Sequence, residues 1–308
     1  MDTLMQEQKL IGSVEQLAPL GVSDFPKRIE AGNILMCPPT YFTIKDSKNP
    51  FMDGQVGNVD SELAARQWQV LKQVFSDLGC EVKEVEPQED LEDMVFAANQ
   101  VLPGLDENGK PFVILGEMRH EARRKEVPWY RQWFLANNYK VITLSDAVPE
   151  GTPIPRFEGQ GDAVWHPSRK LLWGGYGSRT DIQAYELVAS LLHVPIITLK
   201  LTDPRFYHLD TCFSALDEDT VMIFEDAFDR AGLNLIESMF KTVIKVSETE
   251  ALNFALNSVC IGKSVVIQKG SAKAVAALRA NGFYPVEVDT SEFMKSGGSA
   301  FCLKMMIY

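Results

Sequence analysis

Asp60-Ser61-Glu62-Leu63-Ala64-Ala65-Arg66-Gln67-Trp68-Gln69-Val70-Leu71-Lys72-Gln73-Val74-Phe75-Ser76-Asp77-Leu78-Gly79-Cys80-Glu81-Val82-Lys83-Glu84-Val85 reads as an amphipathic helix that hands the chain at once to a short apolar strand. Ala64, Trp68, Leu71, Phe75 and Leu78 recur at helical spacing. Asp60 or Ser61 can cap the start, and Gly79 stops the helix before a strand over 81–85. The same phrase recurs four times. Helices through Trp133 and Leu135, through Leu187 and Leu191, through Leu235 and Met239, and through Val275 and Leu278 lead to strands over 140–144, 195–199, 242–246 and 284–288.

These strands begin about 40 to 60 residues apart, the length of a supersecondary unit and not of a domain. Each is followed by a second apolar stretch with polar residues in or beside it. The stretches are 94–102 with Asn99, 157–165 with Glu158 and Asp162, 206–216 with His208 and Asp210, 251–267, and 293–306 with Cys302. Five equivalent units packed around one axis bring their equivalent strand ends together there. Chemically useful residues stand at corresponding places in four of the five, which is the reason to combine them into one site. The expectation is an α/β fold with a pseudo-five-fold repeat. With short linkers and no low-complexity tract, residues 31–308 read as one domain, preceded by an extension over 1–30.

The 308 residues are 45% hydrophobic and 23% charged, the balance of a water-soluble globular chain. No segment approaches the roughly 18 consecutive apolar residues of a membrane span, and the first twenty residues lack a signal-peptide block, so the chain reads as unprocessed and cytoplasmic. Five scattered cysteines without a CxxC pair suit a reducing compartment. A net charge of −12 repels a phosphate backbone and modestly favours a cationic small molecule. Arg123 and Arg124 alternate with Glu121 and Glu126 and read as a solvated helix face. Neither nucleic acid nor membrane is an expected partner; a homo-oligomer is left open.

An isolated cysteine is more often a packing residue, and Cys37, Cys80, Cys212 and Cys260 are read so. Cys302 differs because Gly297 and Gly298 precede it, leaving room for a ligand. In Phe206-Tyr207-His208-Leu209-Asp210, strand alternation puts His208 and Asp210 on one side, as an acid–base group and a cation clamp. Glu158-Gly159-Gln160-Gly161-Asp162 is either a tight turn with solvated acids or a pair of site carboxylates; no lysine follows to make it a phosphate loop. Arg119 and Arg179 each suit a bidentate fork on a carboxylate, or a surface ion pair. Arg179 is set just before a helix that Thr180 or Asp181 can cap. No histidine has the spacing of a metal ligand, and no metal or cofactor is expected.

Together these residues resemble the guanidino-group-modifying enzymes, the superfamily of arginine deiminases, dimethylarginine dimethylaminohydrolases and amidinotransferases built on the five-bladed α/β propeller called the pentein fold. The resemblance spans about residues 36 to 306. It rests on Met36-Cys37-Pro38-Pro39, Met94-Val95-Phe96-Ala97-Ala98-Asn99, Phe157 to Asp162, Gly177-Ser178-Arg179-Thr180, His208 to Thr211, and Gly297-Gly298 ahead of Cys302. Asn99, where most of the superfamily has aspartate, and Asn49 in Asn49-Pro50-Phe51-Met52 are similar to the arginine dihydrolase branch. The resemblance implies a hydrolase that converts arginine to ornithine, carbon dioxide and ammonia. Dimethylarginine hydrolysis, citrulline-forming deimination and amidino transfer are its alternatives. It further implies Cys302 as nucleophile, His208 as acid and base with Glu158 orienting it, and Asp210 and Asn99 on the guanidinium. Asn49 and Asp162 stand nearby, and Arg119 and Arg179 hold the α-carboxylate.

Overall fold

The computed structural model describes residues 10–18 and 20–308. Residues 1–9 of the expected extension and Pro19 lie outside them. The helix that opens the sequence reading runs Ser61–Asp77. Asp60 Oδ1 accepts from the Leu63 N–H at 2.9 Å, replacing one bond the first turn cannot make internally. Ala64, Trp68, Leu71 and Phe75 are buried on one face. Gly79 takes φ +90°, a left-handed conformation that ends the helix where a side chain would be strained.

All five expected helix–strand junctions are present. Helices Ser61–Asp77, Val127–Ala136, Ala184–Leu192, Arg230–Met239 and Ala272–Ala280 lead to strands Val82–Glu84, Lys140–Ile142, Ile196–Lys200, Thr242–Lys245 and Tyr284–Val288. The structure adds to each unit a hairpin that the sequence reading did not separate. In every unit a short first strand pairs antiparallel with a central strand, the helix crosses over, and the last strand pairs parallel with that same central strand. The central strands are Asn33–Met36, Pro111–Leu115, Leu172–Tyr176, Thr220–Ile223 and Ser264–Gln268. The result is five small sheets, three-stranded except for one. Met305–Ile307 supplies the first strand for Asn33–Met36, so one sheet joins residues far apart in sequence.

Buried apolar side chains from helices and sheets form the core, with Trp68, Trp173, Tyr130 and Tyr185 among the largest fully enclosed. Part of the expected extension belongs to this body. Leu10–Ile11 adds a fourth, parallel strand beside Ile196–Lys200, and Leu17 and Phe25 are buried. Among the described residues no helix is long and apolar enough to cross a membrane.

Candidate active site

The segment just before each first hairpin strand is where the units meet. Asn99 precedes Val101–Leu105, Glu158 to Asp162 precede Ala163–Trp165, His208 to Asp210 precede Phe213–Ala215, Asn257 precedes Val259–Ile261, and Cys302 precedes Met305–Ile307. Cys302, His208, Asn99, Asn49 and Arg179 line one cavity of about 20 Å³, with Lys48, Met52, Asp93, Phe96, Arg123 and Tyr207. The sulfur and the imidazole therefore face the same space.

His208 Nε2 and Glu158 Oε2 are 2.6 Å apart, and both side chains are almost wholly buried. Glu158 Oε1 accepts from the Arg119 N–H at 2.9 Å, and Oε2 also from Arg179 Nη1 at 3.3 Å. Burial opposes ionisation of Glu158. The His208 hydrogen bond, the charges of Arg179 and His208, and the Arg119 N–H outweigh it and hold the carboxyl well below the usual carboxylate range. The other ring nitrogen, Nδ1, lies 3.5 Å from Asn99 Nδ2.

Cys302 is 3% exposed. Its thiol donates to Asp210 Oδ2 at 3.2 Å and accepts from Asn257 Nδ2 at 3.2 Å. Burial and the Asp210 carboxylate push the thiol well above its ordinary range, so the resting group is SH. Burial likewise pushes Asp210 up to about 7, against the thiol hydrogen bond and the nearby charge of Lys304. Thiol and carboxylate together form a centre that gains by the arrival of a cation, because each would ionise more readily beside positive charge.

Two glycines are dictated by close approach. A Cβ on Gly161 would fall on the Asn99 carboxamide, and one on Gly297, at φ +89°, would stand 2.6 Å from Tyr207 Oη. Tyr207 stacks under Arg179, whose guanidinium lies 4.7 Å from the ring centroid.

Several expectations change. His208 and Asp210 flank and enter a 3₁₀ turn over Leu209–Thr211 rather than alternating along a strand, so His208 turns to Glu158 while Asp210 turns to Cys302. Asp162 does not line the small cavity. Its oxygens accept from Thr180 Oγ1 at 2.6 Å and the Leu209 N–H at 3.0 Å, pinning the His208 loop from behind, and burial pushes it up to about 7. Thr180 and Asp181 cap no helix; Thr180 serves Asp162, and Asp181 pairs with Arg156. Arg119 is exposed and bonds through Nη1 to the Ser178 carbonyl outside the cavity. Along the glycine-rich approach to Cys302, the N–H groups of Ser299 and Cys302 both donate to Asn257 Oδ1. Arg123 and Glu126 are not on a solvated face. They are 6% and 1% exposed, joined at 2.9 Å, and Arg123 Nη1 reaches Asn99 Oδ1 at 3.3 Å.

Sequence reading missed Asn257 and Arg123. Asn257 had a signal, a polar residue two positions before a first hairpin strand, where Asn99 also stands. Arg123 had none, because alternating charge looks alike on a solvated helix and a buried one. Among the described residues no group of three His, Cys, Asp or Glu side chains has the arrangement of a metal site.

The cavity has room for about one water. The surface segment at 46–52 covers it. Lys48 pairs with Asp46, Glu92 and Asp93, its carbonyl accepts from Arg179 Nη2 at 3.2 Å, and Asn49 Nδ2 donates to the Ser296 carbonyl at 3.0 Å.

A mixed α/β body of repeated hairpin–helix–strand units, carrying a thiol, an imidazole–carboxylate pair and buried amides at the units' meeting point, defines the class of guanidino-group-modifying enzymes. Within it, the chain belongs to the family described as N,N dimethylarginine dimethylhydrolase, eukaryotic, whose family model matches residues 38–308. It is 35% identical to the bifunctional arginine dihydrolase/ornithine cyclodeaminase AgrE of Nostoc sp. over 275 residues, 89% of this chain but only 37% of that protein. It is 36% identical to the N(G),N(G)-dimethylarginine dimethylaminohydrolase of Mycobacterium tuberculosis, over 89% of this chain and 85% of that one. The product-bound N-terminal domain of ArgZ, an arginine dihydrolase from cyanobacteria, superposes with a TM-score of 0.82 at 34% identity, over 89% of this chain and 96% of that domain.

Proposed function

We propose that this protein is a cytoplasmic arginine dihydrolase: arginine and two waters give ornithine, carbon dioxide and two ammonia molecules. The observation that carries it is the shared cavity of Cys302, His208 and Asn99, with the thiol already bonded to a carboxylate poised for a cation. The five repeated sheets and the pairing of Met305–Ile307 with Asn33–Met36 support a closed five-bladed propeller over 31–308, with residues 1–30 as an extension. All five cysteines are free, in keeping with a reducing compartment.

The guanidinium enters beside Asp210 and Asn99, and the α-carboxylate goes to Arg179 and Arg119. The bound cation stabilises the thiolate of Cys302, whose proton passes to His208 as the sulfur attacks the guanidinium carbon. His208, oriented by Glu158, gives a proton to the departing ammonia. The remaining thiouronium then takes water activated by the same imidazole. That water displaces the thiol and leaves an uncharged ureido group, which the neutral carboxamide of Asn99 holds better than a carboxylate would. Cys302 then attacks the ureido carbon as a second ammonia leaves, and a second water breaks the C–S bond to release a carbamate that loses carbon dioxide and leaves ornithine. Asn49 and Asp162 support the cover and the His208 loop.

The match to the dimethylarginine family favours a second reading, release of dimethylamine from methylated arginine. Purified protein given arginine, dimethylarginine or citrulline, with products followed by mass spectrometry, separates the two. Ornithine and ammonia from arginine are expected. Cys302→Ser is expected to lower ammonia release at least about 10³-fold. Accumulated citrulline without ornithine, or dimethylamine as the main product, sinks the dihydrolase reading.

A further inference from the structure

A second cavity, of about 660 Å³, is lined in part by Phe213, Ser214, Ser258, Val259, Phe301 and Lys304. The reaction proposed above does not use it, yet its volume falls in the roughly 300–1,000 Å³ range of small-molecule sites. Lys304 is 0% exposed and its Nζ has no hydrogen-bond partner among the described residues. The ammonium lies 3.3 Å from the Phe301 ring centroid, a contact that does not replace lost hydration. The acids on the wall are engaged elsewhere. Glu30 bonds to Arg28, Asp217 to Lys263, Glu218 to Lys27 and Arg169, and Asp219 to Lys241. The second wall cation, Arg28, is thus already paired, with Glu30 on Nη2 and Tyr308 Oη on Nη1.

We propose that this cavity binds a small monocarboxylate with an apolar body, its carboxylate on Lys304 Nζ and its body against Phe213, Val259 and Phe301. The unpaired lysine sets the charge of the ligand, because a buried cation without a counter-charge is costly and one carboxylate answers it. The apolar wall sets the body, which an inorganic anion would leave uncovered. Burial lowers Lys304 to about 7, against the charge of Asp210, and a bound carboxylate restores the ammonium. Lys304 follows Cys302 by two residues and its charge is felt at Asp210, so occupancy of this cavity reaches the nucleophile through the 299–304 turn.

The test is a ¹⁹F NMR titration of the full chain with 4-fluorophenylacetate and, separately, its uncharged amide. Saturable binding of the acid is expected, at least about tenfold tighter than the amide and weakened at least about tenfold in Lys304→Met. Ala215→Phe, which puts a ring into the cavity and leaves Lys304 in the sequence, is expected to abolish binding and serves if Lys304→Met does not fold. Binding is expected to persist in Arg179→Ala, which removes the carboxylate fork of the candidate active site. Equal binding of acid and amide, binding retained in Ala215→Phe, loss in Arg179→Ala, or no saturation overturns the proposal. None of these outcomes depends on which guanidino substrate the enzyme turns over.

Discussion

The cavity at Cys302 holds about 20 Å³ inside a wall of directed hydrogen bonds, whereas the cavity at Lys304 holds about 660 Å³ and that lysine's Nζ has no hydrogen-bond partner among the described residues. A single residue of chain separates the side chains that define them. The first is organised before any substrate arrives: Glu158 holds His208, Asn257 holds the Cys302 turn, and Asp210 holds the thiol. Such a site gains its power from groups that need no rearrangement when charge shifts. The second offers volume and one unmet charge, the terms on which a protein binds a molecule without altering it. Preorganisation belongs to the small cavity and adaptability to the large one.

The contrast breaks if the hydrogen bonds of the small cavity prove expendable. Glu158→Gln takes the charge from His208 Nε2 and is expected to lower kcat for ammonia release by about 10²–10⁴-fold, the usual worth of positioned acid–base catalysis; steady-state rates within a few-fold of the parent would break the comparison. Asn257→Ala strands the N–H groups of Ser299 and Cys302 and is expected to cost about 1–3 kcal/mol in urea unfolding. Ser258→Ala in the large cavity, where the Ser258 hydroxyl bonds to that of Ser214, is expected to cost about 0.5–1.5 kcal/mol, and a larger loss there than at Asn257 would reverse the ordering. A further effect is in pH dependence. Asp162 and Asp210 are raised to about 7 in the folded chain, against about 3.9 unfolded. Between those values the folded state binds more protons, so stability falls as pH rises, by at most about 1.4 kcal/mol per pH unit for each group. Asp162→Asn removes one such group, and urea midpoints at pH 5 and pH 7.5 are expected to lie closer together than in the parent.

The helix–strand junctions were legible because an amphipathic stripe, a cap and a stop are local signals, each written within a few residues. The central strands were not separated because Ile34-Leu35-Met36 or Phe112 to Leu115, buried on both faces, show no alternation to read. Glu158, His208 and Cys302 stood out through neighbouring glycines and acids. Asn257, in Phe254-Ala255-Leu256-Asn257-Ser258, stood in an apolar run with no such company, although the repeat had left its unit without a polar residue to offer.

The sequence by itself determined that five like units exist, where each helix hands over to its strand, and which residue types could supply a nucleophile, an imidazole and acids. Periodicity and composition carry that information because it is short in range. Only the tertiary structure decided which oxygen each hydrogen meets. It drew Asp162 behind His208 instead of onto the cavity, buried Arg123 against Asn99, and gave the N–H groups of Ser299 and Cys302 to Asn257. Those outcomes depend on distances between segments tens to hundreds of residues apart, and burial, which sets both partner and protonation state, is a property of the assembled body and not of any stretch within it.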